Sequence, residues 1–153
     1  MGKQRLEAFT DGVIAIILTI MVLEISAPQG ATWAALRSET PIFLAYALSF
    51  TNVAIFWNNH HHMLHATERI NGQVLWANMF LLFWLSLVPL IIRWMDDTHF
   101  AAIPTAAYGV DLTLAAIAYL LLEIAIIRCD GPDSKLAVLL GRIRKESFPW
   151  RSI

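Results

Sequence analysis

The chain has 153 residues, 58% of them hydrophobic and only 15% charged, with a formal net charge of −1. An average soluble domain carries about 25% charged residues, and this apolar excess is more than one soluble core of such length can bury. A total charge so close to zero says little about partners, and no nucleic-acid partner is expected.

The apolar residues come in four blocks, each close to the ~20 residues that a helix needs to cross about 30 Å of hydrocarbon. In chain order they predict spans over 8–25, 41–58, 74–95 and 105–127, separated by polar stretches that hold Pro28, Gly30, Gly72, Asp96, Asp97 and Pro104. Glycine and proline at these points are natural breaks between helices. A β-barrel is excluded because apolar residues run continuously, as over 114–122, where barrel strands alternate. Helices are the spanning structure that remains. The predicted fold is therefore all-α, an integral membrane helical bundle of about four transmembrane helices forming a single transmembrane domain over 1–153.

At the start of the first span, Lys3 and Arg5 precede an apolar run that ends near Ser26 and Ala27, which is also the outline of a cleaved signal peptide. Asp11 interrupts the start of that run and Pro28 follows its end, so a retained helix is the reading adopted. Beyond the fourth span, Leu136, Leu139, Leu140 and Ile143 recur at helical spacing among Lys135, Arg142, Arg144 and Lys145. This predicts a basic amphipathic helix over 134–147 lying on the inner membrane surface, ended by Pro149. With a cytoplasmic N-terminus, Lys3, Arg5, Arg69, Arg128, Lys135, Arg142, Arg144, Lys145 and Arg151 all fall inside, leaving Arg37 and Arg93 near the outer ends. The positive-inside rule thus places both termini in the cytoplasm. Trp33, Trp76, Trp84, Trp94 and Trp150 lie mostly near block ends or loops, where aromatic belts form. Cys129 is the single cysteine and permits no internal disulfide.

Charged residues inside a span each cost about 2.5–3.5 kcal/mol on insertion scales and ask for a partner or an aqueous cavity. Glu24 and Glu123 lie near block ends and can reach interfacial water, which leaves Asp11 and Asp111 as the charged positions of greater interest. At about 100° per residue, Gly12, Ile16, Thr19 and Leu23 share one stripe of the first helix, and Asp11 points about 140° away from Ile16. The stripe alone fits either an ordinary helix contact or the lining of a pore. The second block ends in Trp57-Asn58-Asn59-His60-His61-His62, with His65 a turn later. His61 and His65 are i, i+4 neighbours and form a usable imidazole pair, but zinc usually takes a third or fourth protein ligand, and no such ligand is evident in the sequence. Histidines that hydrogen-bond to neighbouring helices at the membrane edge are the simpler reading. There is no glycine-rich phosphate loop, nucleophile elbow or HExxH pair, so no enzymatic activity is expected.

The segment Arg5-Leu6-Glu7-Ala8-Phe9-Thr10-Asp11-Gly12, leading straight into an Ile/Leu-rich helix, resembles the RxxxFSD signature of the transmembrane protein 175 family of potassium channels. The resemblance continues through Trp57 with His60 three residues later, then Asn78 with Pro89 eleven residues beyond it. It implies a homotetramer in the lipid bilayer that conducts potassium ions without a cofactor, with the first helix lining the pore. By position, Ile16 is then the hydrophobic constriction, and Thr19 and Leu23 are further pore-facing layers, the same stripe that helical geometry picks out. Arg5, Phe9, Thr10, Asp11, Trp57, His60 and Asn78 are implied to form a hydrogen-bonded network that fixes the first helix against the second and third. Arg5 and Asp11 lie about 240° apart around a helix and are expected to reach different partners. Thr10 stands where the family has serine, keeping the hydroxyl. The resemblance implies six helices for a subunit of one repeat, so four spans and a tail are read as a fragment or a shortened relative lacking the last two.

Two other readings follow from the same residues. One is a membrane metal- or haem-binding protein using the His60–His65 cluster. The other is a non-conducting or proton-coupled membrane protein in which Asp111 or the histidines take up protons.

Overall fold

The structure is a computed structural model that describes residues 2–131 and residue 138. Apart from Val138, the amphipathic stretch expected over 134–147 lies outside the described residues. The described residues form five helices: α1 Lys3–Leu23, α2 Trp33–Ser38, α3 Thr40–Ala66, α4 Gly72–Asp97 and α5 Ala102–Asp130. Four of them, α1, α3, α4 and α5, are long and apolar enough to cross a membrane, and no strand occurs among the described residues.

The helix boundaries follow from local chemistry. α1 begins on Gly2, whose carbonyl accepts the amides of Arg5 and Leu6 at 3.1 and 3.3 Å, so the polar turn ahead of the apolar run is helical too. α2 is a six-residue helix started by Thr32, whose hydroxyl accepts the Ala35 amide at 3.2 Å. Glu39 closes α2 and opens α3, where Pro41 sits in the first turn and loses nothing by lacking an N–H. α3 continues to Ala66, eight residues beyond the apolar block that ends at Asn58, and so carries the Trp57 to His65 segment as regular helix. Asn71 caps α4 by accepting the Val74 amide at 3.0 Å.

α4 and α5 form a tight hairpin and make the most extensive contact between elements. Its turn holds His99 and Phe100 at φ of 49° and 59°, a left-handed conformation uncommon for residues other than glycine. The Phe100 amide bonds back to the Met95 carbonyl at 2.8 Å, and the Phe100 ring packs against the core. α4 is the central helix, touching α1, α3 and α5. Its buried residues Val74, Asn78, Leu81, Leu82, Leu85, Val88, Pro89, Ile92 and Met95 recur at three- and four-residue intervals, the spacing of a packed helix face.

α1 lies against α3 and α4, burying Leu6, Thr10, Ile14, Ile17 and Met21. Lipid tails are as apolar as leucine, so contact between such helices is held by packing and hydrogen bonds more than by removal from water. The polar contacts of α1 therefore determine how it is rotated.

Candidate pore helix and its polar anchor

Three buried polar side chains from three helices meet behind α1. His60 Nε2 on α3 lies 2.7 Å from Asn78 Oδ1 on α4, and Asn78 Nδ2 donates to Thr10 Oγ1 on α1 at 2.9 Å. An amide oxygen can only accept, so His60 carries its proton on Nε2 in this arrangement. All three side chains are buried, where an unpaired polar group costs about 1–3 kcal/mol. Each therefore constrains the rotation of the other two helices.

A second bond, from Trp57 Nε1 on α3 to Asp11 Oδ1 on α1 at 2.8 Å, lies one residue further along α1. At the N-terminal end, Lys3 Nζ donates to the carbonyls of His65 and Thr67 at 3.0 and 2.9 Å, where the last carbonyls of α3 lack helical partners. At the far end, Glu24 Oε2 pairs with Arg93 Nη1 of α4 at 3.3 Å. The same arginine reaches Asp97 at 3.7 Å, and Asp96 Oδ2 accepts the Ser26 amide at 3.3 Å. Glu24 thus has a protein partner as well as the water expected for it. α1 is tied to its neighbours at both ends and at Thr10 and Asp11.

The face of α1 turned away from Asp11 is largely exposed. Ile16, Thr19 and Leu23 are exposed, with 58% of Ile16 and 77% of Leu23 accessible. Thr19 Oγ1 donates to the carbonyls of Ala15 and Ile16 at 3.0 and 2.9 Å. Its single proton is committed to the helix, and its oxygen lone pairs are left for whatever lies on that face.

The residues named from the sequence separate into two groups. Thr10, Asp11, Trp57, His60 and Asn78 are brought together by hydrogen bonds between α1, α3 and α4. Arg5 and Phe9 are exposed and stand outside this network, and among the described residues the Arg5 side chain makes no hydrogen bond or ion pair. Their position on α1 accounts for this: Phe9 has no polar atom to offer, and Arg5 precedes the buried Leu6 on a different face. Asp111 is buried on α5, and neither carboxylate oxygen finds a hydrogen-bond partner. The structure also separates the histidines, with His60 pointing into the anchor while His61 and His65 approach Glu7 of α1 at 3.6 and 3.8 Å. Lys3, Glu7, Glu24 and Arg93 contribute contacts that no sequence motif assigned to a site. Their partners lie some 60 residues or more away for three of them, and no local pattern marks such pairs.

Long apolar helices fixed by buried interhelical polar contacts define a multi-pass helical membrane protein. The family model described as "Endosomal/lysosomal potassium channel TMEM175" matches residues 5–89, and the chain belongs to the TMEM175 family. A potassium channel of Chryseobacterium sp. (strain P1-3) is 56% identical over 136 residues, covering 89% of this chain and 71% of that protein. A potassium channel of Streptomyces collinus is 29% identical over 123 residues, covering 75% of this chain and 60% of that protein. The crystal structure of a lysosomal potassium-selective channel TMEM175 homolog from Chamaesiphon minutus superposes with a TM-score of 0.79 at 26% identity, over 93% of this chain and 79% of that one. The matched residues 5–89 take in most of α1, the whole of α3 and most of α4, and with them Thr10, Asp11, Trp57, His60 and Asn78.

Proposed function

We propose that this chain is a subunit of a potassium-conducting channel of the cell membrane, in which four copies bring their α1 helices together around a central pore. Ile16, Thr19 and Leu23 line that pore. Four Ile16 side chains form an apolar constriction that closes by dewetting and conducts when water is readmitted. Thr19 contributes a ring of hydroxyl oxygens whose lone pairs face the ion path, in keeping with the bonding of its proton to Ala15 and Ile16.

The observation that carries this reading is the two-sidedness of α1. One face is held by polar contacts from Lys3 to Glu24, while the face bearing Ile16, Thr19 and Leu23 is largely exposed, with Ile16 at the rim of a groove shared with Ser86, Pro89 and Leu90 of α4. The naming of relatives as potassium channels supports the choice of ion. Arg5 and Phe9, which the anchor leaves out, face neighbouring copies or the membrane surface in this assembly.

Lys3, Arg69 and Arg128 gather at one end of the bundle, where Lys3 meets the end of α3 and Asp130 caps the amides of Glu68 and Arg69 at 2.9 and 2.7 Å. Arg93 lies at the other end, with Glu24. The basic end is the cytoplasmic one by the positive-inside rule, which places the N-terminus and the end of α5 inside. Potassium flux into vesicles containing the purified chain tests the assignment. Flux that changes on substitution of Ile16 and Thr19 supports it, and flux indifferent to both places the pore elsewhere.

A further inference from the structure

The polar end of α3 holds more than the anchor uses. Glu7 Oε1 on α1 lies 3.6 Å from His61 Nδ1 and 3.8 Å from His65 Nδ1 on α3, and each of the three residues offers one ligand atom within 4.8 Å of the other two. We propose that Glu7, His61 and His65 form a binding site for a transition-metal dication of the zinc class, joining α1 to α3 at the end of the bundle that holds the N-terminus.

The geometry suits this chemistry. Ligands about 2.0–2.1 Å from a tetrahedral zinc ion are about 3.4 Å apart from one another. The two separations from Glu7, 3.6 and 3.8 Å, are slightly larger than that and longer than a hydrogen bond, so the carboxylate is close enough to share an ion with either imidazole but does not satisfy them directly. His61 Nδ1 is buried and has no hydrogen-bond partner, a cost that a metal bond would remove. The i, i+4 spacing puts both imidazoles on one face of α3, with ring centroids 5.5 Å apart.

The surroundings hold the ligands in place. Trp57 stacks on His61 with centroids 5.9 Å apart while its own N–H is bonded to Asp11, so the ring that orients His61 belongs to the same set of contacts that fixes α1. Lys3, one turn before Glu7, directs its ammonium to the carbonyls of His65 and Thr67. Two imidazoles and one carboxylate favour zinc, cobalt or nickel over magnesium or calcium, which prefer oxygen ligands alone. A fourth position is left for water, since His65 is largely exposed. This site goes beyond the conduction reading, because α1 is the helix it would clamp but metal binding is measured whether or not the chain conducts.

The test is titration of the purified, chelator-stripped full chain with Co2+ as a spectroscopic stand-in for Zn2+. The expected result is one ion per chain, with the intense visible bands of a four-coordinate centre, displaced by Zn2+. Glu7→Gln, His61→Ala and His65→Ala should each weaken binding at least tenfold, while Cys129→Ser leaves it unchanged. His65→Ala is the variant least able to disturb folding, because the side chain is 76% exposed and the Lys3 contact is to its backbone. Substoichiometric Co2+ uptake without such bands, or binding that survives both histidine substitutions, overturns the proposal.

Discussion

Thr10 and Thr19 lie nine residues apart on α1, about 180° out of phase around the helix, and their hydroxyls are used in opposite ways. Thr10 is fully buried and accepts a hydrogen bond from Asn78 of another helix. Thr19 is exposed and donates to the carbonyls of its own helix. One threonine fixes the rotation of α1, and the other presents an oxygen on the face that this rotation leaves outward. The proposed pore lining is thus a consequence of the anchor on the other side.

Ile16→Asn replaces an apolar ring with one that holds water. If the constriction closes by dewetting, potassium flux into vesicles should rise roughly tenfold, equivalent to about 1.4 kcal/mol off the barrier. Ile16→Leu, which keeps the ring apolar, should stay near the wild-type flux.

Thr19→Val removes the outward oxygen at nearly constant volume. The exposed hydroxyl has no partner on another helix, so thermal stability in detergent should change by less than about 0.5 kcal/mol. The ratio of potassium to sodium flux should fall, and this separates a role in the ion path from a structural one.

Asn78→Ala removes both of its hydrogen bonds and strands the buried His60 Nε2 and Thr10 Oγ1. Interhelical hydrogen bonds in membranes are worth about 0.6 kcal/mol on average and up to about 1.7, so a loss of about 1–3 kcal/mol is expected in denaturation monitored by helix content. Trp57→Phe, which deletes one bond at a partly exposed site, should cost less than half as much.

The Glu24–Arg93 pair is more exposed, with 60% of the arginine side chain accessible. A double-mutant cycle of Glu24→Gln and Arg93→Gln should give a coupling of only about 0.2–1 kcal/mol, reduced further by salt. This places the main constraint on α1 at Thr10 and Asp11 rather than at its far end.

The four long helices were legible because a span must be apolar throughout, and an unbroken run of about 20 such residues is what the hydrocarbon thickness demands. Their ends were less so. α3 continues through Asn58, Asn59 and the histidines because backbone hydrogen bonding does not depend on side-chain polarity, and hydropathy ends it eight residues early. α2 was missed because six residues show no period. The turn at His99 and Phe100 carries no glycine to announce its positive φ. The members of the anchor were named through resemblance, and the helical phase of Asp11 against Ile16 was legible from spacing alone. The joining of Glu7 to His61 and His65 was not legible, since it depends on how α1 is rotated against α3, which Thr10, Asn78 and His60 decide together.

The most direct measurement is aqueous accessibility at position 16. Cysteine is introduced there as Ile16→Cys in a background where Cys129, the sole native cysteine, is serine, and the channel is treated with small charged thiol reagents while it conducts. The account predicts modification at residue 16, faster under conducting conditions, with a matching change in potassium flux. A residue 16 that stays unmodified in a conducting preparation, while a cysteine at a lipid-facing position of another helix behaves no differently, contradicts it.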